Sequence, residues 1–431
     1  MSIRKFILNG LFVAVSPFFL GVGFIVAAIA RGYRSPSGKP RLVWGSTPLI
    51  NNRHWSRSMR AAGYLSETFT NSFYAAINQR ADWDRVLDDE WAWCPRLFKP
   101  LLAFLHSLFV YDVFFISADG FFIGTIPFVW RAQAPLFRLA GKKVVFLPYG
   151  GDAFVYRRIR STSLMHGLLA SYPQAARRQK ETQLRLDYWC RHADVCIPGA
   201  MGMDGFGRWD AVLASTLFLD LGEWAASSRL PKADGSEAPV RVCHAPNHRG
   251  FKGTEFVLEA VRQLQSEGLR VELILLEKIQ NAQVRALLSS EVDILVEQLI
   301  ATGHGLNGLE GMACGIPVIS NLEDDDYILP LRRWSFFAEC PIVSATPENI
   351  VDVLRKLITR PELREKLGRA SRQYVEKYHG LDSAVYLFEA VIDLAYGRRE
   401  SLINLYHPLL GDYPRRLPRV EHPLKNNQIV D

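Results

Sequence analysis

The chain has 431 residues, 48% of them hydrophobic and 22% charged, a globular composition with room for roughly two or three domains. Its net charge of +7 favours an anionic partner: nucleic acid, acidic lipid or a phosphorylated small molecule. Nucleic acid is set aside, because no zinc-finger spacing and no basic motif interleaved with aromatics occurs, and six scattered cysteines without a C-x-x-C pair fit a reducing compartment better than a disulfide framework.

Taken in chain order, residues 6–30 are uncharged and largely apolar, long enough to span a bilayer. Arg4 and Lys5 precede this stretch, and Arg31, Arg34, Lys39 and Arg41 follow it. The positive-inside bias therefore places the rest of the chain on the cytoplasmic side of the inner (cytoplasmic) membrane. The expectation is an N-terminal membrane anchor over 1–34. Two alternatives stay open: Ala28-Ile29-Ala30 also suits a signal-peptide cleavage site, and Pro17 with the nearby glycines suits a hairpin that enters and leaves one leaflet.

From Arg41 onward, short apolar runs alternate with helical segments. RLVWG (41–45), YDVFFIS (111–117), KKVVFLPYGGD (142–152) and ADVCIPG (193–199) read as strands. Uniformly apolar strands separated by helices predict a parallel sheet covered on both faces. The region 97–110 reads as a core helix beside that sheet. SSRLPKADGSEAPV (227–240) is polar and rich in turn residues, a linker. The alternation then restarts: VRVCHAP, a helix in GTEFVLEAVRQLQSEG, strands RVELILLE and VDILVEQ, a helix around Glu310, strand IPVIS, and further helices through 347–379. The predicted fold class is α/β, with two Rossmann-like doubly wound domains facing a central cleft. The predicted domains are 41–226 and 240–400, with a linker over 227–239 and a Pro-rich tail over 401–431 that wraps the surface.

Two segments carry candidate chemistry. CHAPNHRGFKGTEF (243–256) follows a strand and opens a helix, and it offers Arg249 and Lys252 beside Gly250 and Gly253. Glycines let backbone amides approach an anion, a helix start adds partial positive charge, and the two cations complete a phosphate site. Zinc is not expected there, because Pro246 breaks the helical spacing between His244 and His248. The second segment, GHGLNGLEGMACGIPVIS (303–320), places Glu310 after a glycine loop with Gly303, His304 and Gly305. A carboxylate there can accept from two vicinal hydroxyls, as a ribose offers, or can simply favour a helix N-terminus. Asp152 in YGGDAF suits either an acceptor-orienting role or a helix cap. The acidic run in LEDDDY (322–327) reads as a solvated loop.

Together, HRGFKGTEFVLEA and EGMACGIPVIS resemble the donor domain of GT-B glycosyltransferases of the glycosyltransferase family 4 (group 1) type, and GKKVVFLPYGGDAF resembles their strand ending in His-Gly-x-Asp. The resemblance spans roughly 41–397 and is tightest over 308–319. It implies retaining transfer of a sugar from a nucleotide diphosphate, without metal or other cofactor. By that match Arg249 and Lys252 bind the diphosphate, Glu310 binds the ribose, with Gly303, His304 and Gly305 beside them, and Asp152 keeps the family's Asp. The chain departs from the pattern at Thr302, where a second Glu contacts the sugar, at Tyr149 in place of His, and at Gly311 in place of Ala. His304 or Gln298 then handles the sugar. The expected partners are a nucleotide-sugar donor, the membrane and a lipid-linked or envelope-glycan acceptor. The alternative is a catalytically degenerate GT-B protein that binds a nucleotide sugar, or none, and assists polysaccharide assembly.

Overall fold

The computed structural model describes residues 3–33, 38–75, 78–199, 202–226 and 232–430, with residues 3–15 described by backbone alone. Two parallel sheets organise it. Strands β1 (Leu42–Ser46), β2 (Ser66–Thr70), β3 (Arg85–Val86), β4 (Val113–Ile116), β5 (Lys143–Phe146) and β6 (Val195–Cys196) form the first, in the order β3-β2-β1-β4-β5-β6. Strands β7 (Val240–His244), β8 (Val271–Leu275), β9 (Ile294–Thr302), β10 (Val318–Asn321) and β11 (Val343–Ser344) form the second, in the order β11-β10-β9-β7-β8. Every residue of β1, β4, β9 and β10 is buried, which is why these strands carry apolar residues on both faces.

Each sheet reverses its winding direction once. The switch falls between β1 and β4 in the first sheet and between β7 and β9 in the second. In open parallel sheets ligands bind beyond the carboxyl ends of the strands at such points. The two crevices face each other, and the Thr162–Ser171 helix of the first domain reaches across to pack on the Arg249–Lys252 turn and on β9. Small residues make that crossing close: a Cβ on Gly167 would meet Ile300 at 2.8 Å, and one on Gly250 would meet Ala170 at 2.9 Å. Phe251 N donates to Ser171 Oγ (2.8 Å) and Ser163 Oγ donates to the Ile300 carbonyl (2.7 Å), fixing the domains together.

Two expectations change. The domain boundary at 400 assigned the Leu381–Ala395 helix to the second domain, but that helix packs on the Ile50–Ala61 helix and on β5 of the first. Its Phe388 joins Trp44, Trp55 and Phe115, with Trp44 stacked on Phe115 at 3.7 Å between ring centroids. The expected transmembrane anchor is not found either. A helix does run over Ile3–Ala30, but among the described residues no helix is long and apolar enough to cross a membrane. Phe19, Ala27 and Ala30 are buried in the core of the first domain, and a Cβ on Gly23 would touch Leu136 at 3.6 Å. One face of the helix therefore serves packing. The opposite face, with Phe18, Ile25 and Ile29, is exposed. The 97–110 segment forms the expected core helix (Lys99–Val110). The tail closes on the second domain, where Asn427 Nδ2 donates to the carbonyls of Cys340 and Ile342. Residues 227–231 of the expected linker, and residues 1, 2 and 34 of the expected anchor, lie outside the described residues.

Candidate active site

A cavity of about 970 Å³ opens between the two switch points. The connection after β7 contributes Asn247 and Lys252, that after β8 contributes Asn281 and Arg285, and that after β9 contributes Gly305, Asn307 and Glu310. Across the cleft the Ile50–Ala61 helix contributes Arg53 and His54, beside Asp82, and Glu223 closes one end.

Lys252 is buried. Its ammonium donates to Glu297 Oε1, a carboxylate on β9, and to Gln298 Oε1 at 2.8 Å. Glu310 sits in the Leu306–Ala313 helix and is also buried. Its Oε1 accepts from Asn281 Nδ2 (2.8 Å) and its Oε2 from Asn307 Nδ2 (3.3 Å). Burial pushes its carboxyl up from the usual range, against those two amides. Each oxygen keeps acceptor capacity toward the cavity. Gly305 is the N-cap of that helix, and its missing side chain leaves Lys252 and Glu297 open to the cavity.

No protein-family model and no curated protein matches the chain. Among solved structures it is similar to a sucrose-phosphate synthase from Thermosynechococcus elongatus, with 11% identity and a TM-score of 0.52 over 83% of this chain and 100% of that chain. It is also similar to HepE from Anabaena, solved in complex with UDP and glucose, with 11% identity and a TM-score of 0.50 over 82% of this chain and 98% of that one. The fold is GT-B-like. At such identities the likeness concerns the fold alone.

Within this GT-B-like cleft the predicted residues separate. Lys252, Gly305 and Glu310 line the cavity together. Arg249 does not: its Nε donates to Glu255 Oε1 (2.9 Å) and its Nη1 to Glu277 Oε2 (3.0 Å), on the surface. Arg249–Lys252 is itself a four-residue turn ended by Gly253 at φ 75°, and the helix expected to open there runs over Thr254–Ser266 with Gly253 as its N-cap. Gly303 (φ 93°) bridges β9 and β10, donating to the Asn321 carbonyl at 2.7 Å. His304 is buried away from the cavity, its ring parallel to Phe337 at 6.2 Å, and burial lowers its pKa. Asp152 accepts from the backbone amides of Ala118 (2.8 Å), Tyr149 (3.0 Å) and Gly150 (3.1 Å), clamping the ends of β4 and β5. Burial still raises its pKa to about 6. Thr302 and the acidic run 323–326 line a separate crevice of about 830 Å³ beyond the Thr162–Ser171 helix. His244 is satisfied by the Val296 carbonyl (2.7 Å) and Thr254 Oγ1 (2.9 Å), and among the described residues no cluster of His, Cys, Asp or Glu is arranged to hold a metal.

Sequence reasoning missed Glu297, Arg285, Arg53 and His54. Glu297 had a signal, since it is a carboxylate inside an otherwise apolar strand. Arg53 and His54 had a weaker one: NNRHW lies at the start of the first helix after the first strand, at a switch point. Burial lowers the His54 pKa to about 4, and its buried Nδ1 meets no hydrogen-bond partner among the described residues. A neutral imidazole is therefore presented to the cavity.

Proposed function

We propose that the chain is a retaining GT-B glycosyltransferase that moves a sugar from a nucleoside diphosphate sugar to a hydroxyl of a lipid-linked or envelope-glycan acceptor. The observation that carries this reading is the convergence of Lys252 and Glu310, from the connections after the adjacent strands β7 and β9, on one cavity at the switch point. A cation for a diphosphate and a carboxylate for a diol then lie in one crevice. HepE, of similar fold, was solved with UDP and glucose bound, which agrees with such a ligand. In the reaction the bond from the sugar C1 to the diphosphate oxygen breaks, and its electron pair stays on that oxygen. The acceptor oxygen bonds to C1 and its proton leaves to water, directly or by way of the diphosphate oxygen. Lys252 stabilises the departing charge. The site uses no metal in this reading. Arg249 joins the grip only by leaving Glu255 and Glu277. The exposed apolar face of the N-terminal helix, which ends at Ala30 just before Arg31, supports a position against the cytoplasmic membrane surface.

Glu310→Gln tests the ribose contact, with UDP-glucose and its 2′-deoxyribose analogue as probes. Removing a charged acceptor should weaken UDP-glucose binding roughly 10- to 100-fold, with melting almost unchanged. The native protein should bind the analogue poorly, and the variant should lose little more. Equal losses for both probes would remove Glu310 from the ribose.

A further inference from the structure

The cavity is not a cationic funnel, although the chain carries a net charge of +7. Three cations line it, Arg53, Lys252 and Arg285, against the four carboxylates of Asp82, Glu223, Glu297 and Glu310. Arg53 and Arg285 are both drawn to Glu223, at 3.9 Å and 3.2 Å. Lys252 is held by Glu297, whose side chain is 1% exposed. Ser320 Oγ lies 3.3 Å from the other Glu297 oxygen. A Cβ on Gly305 would come 3.0 Å from Glu297 Oε1 and 3.7 Å from Lys252 Nζ. The glycine therefore leaves the space beside both cation and anion to whatever enters.

Resting on the donor-site reading above, we propose that Glu297 is a charge filter: it favours the nucleoside diphosphate sugar over the free nucleoside diphosphate, and so drives product out. A sugar ester blocks the terminal phosphate. When C1 leaves with the acceptor oxygen, the diphosphate oxygen keeps the bonding pair, and the acceptor's proton is lost to solvent. The free terminal phosphate titrates near pH 6, so at neutral pH the product carries about one more negative charge than the donor. A buried carboxylate beside the phosphate-binding ammonium repels that added charge strongly, because the surroundings are poorly screening. Without Glu297 the same ammonium would hold product more tightly than substrate. The acid missing at Thr302 is thus not merely absent from the cleft, since a carboxylate enters it from five positions earlier on the same strand.

Calorimetric titration of UDP and UDP-glucose into the full-length native protein, Glu297→Gln and Glu297→Asp tests this. In Glu297→Gln, UDP affinity should rise on the order of tenfold while UDP-glucose affinity changes much less. Glu297→Asp keeps the charge and should keep the native preference. If Glu297→Gln shifts both affinities by the same factor, or weakens both together, Glu297 only positions Lys252 and the filter is refuted while the donor site stands. If the native protein binds neither probe, the donor-site reading falls and the filter falls with it.

Discussion

Lys252→Met should cost the protein about 3–5 kcal/mol of stability and abolish measurable UDP binding. Both effects come from one ion pair. Glu297 has a side chain 1% exposed, and Lys252 is its only cationic partner among the described residues. Removing the ammonium leaves a buried carboxylate without its cation, and an uncompensated buried charge is far costlier than the lost attraction. The double variant Lys252→Met with Glu297→Gln carries no such charge and should recover most of the stability, yet should still fail to bind UDP. Denaturant unfolding of native, single and double variants, each also titrated with UDP, separates the two effects. A single variant as stable as the native protein would mean that the pair is not buried. A double variant that binds UDP normally would place the diphosphate elsewhere.

Phe388→Ala should cost about 3–5 kcal/mol, the usual range for deleting a buried aromatic ring. Phe388 is fully buried against Trp44 (4.8 Å between centroids), Trp55 (5.8 Å), Phe115 (5.5 Å) and Phe218 (6.1 Å). It is one of the contacts by which the Leu381–Ala395 helix returns from the second domain to the first. The cavity left behind would be enclosed by rigid rings that collapse poorly. Equilibrium urea unfolding measures the loss. A cost below about 1 kcal/mol would mean that the helix is not docked there.

What was legible in the sequence follows from what each segment does physically. Val113–Ile116 and Ile294–Thr302 lie in the middle of parallel sheets, so both faces are buried and the apolar run reads directly as a strand. Ser66–Thr70 (SETFT) did not read so. Ser66 and Thr68 are satisfied inside: Trp44 Nε1 donates to Ser66 Oγ (2.9 Å), and Thr68 N and Oγ1 donate to Asp84 Oδ2 (2.9 and 3.0 Å). Hydropathy carries no trace of such pairings. The two-residue strands Arg85–Val86 and Val343–Ser344 are too short for any period.

At the site, glycine spacing pointed to Lys252 and Glu310, because close backbone approach needs glycines wherever the chain turns. Which way Arg249 faces was decided by Glu255 and by Glu277 on another connection, and nothing local to HRGFKG encodes the latter. The uncharged stretch at the N-terminus has the same character. Residue types alone do not tell a helix surrounded by lipid from one with Phe19 and Ala27 packed against protein and Phe18 and Ile25 left open.

The central claim, that the cavity between the ends of β7 and β9 takes a nucleoside diphosphate, is tested most directly by a crystal structure of the protein with UDP bound. The account predicts the diphosphate within hydrogen-bond reach of Lys252 Nζ and both ribose hydroxyls against the Glu310 carboxylate. UDP in the acidic crevice beside Thr302, or held by Arg249 on the surface with this cavity empty, would contradict it.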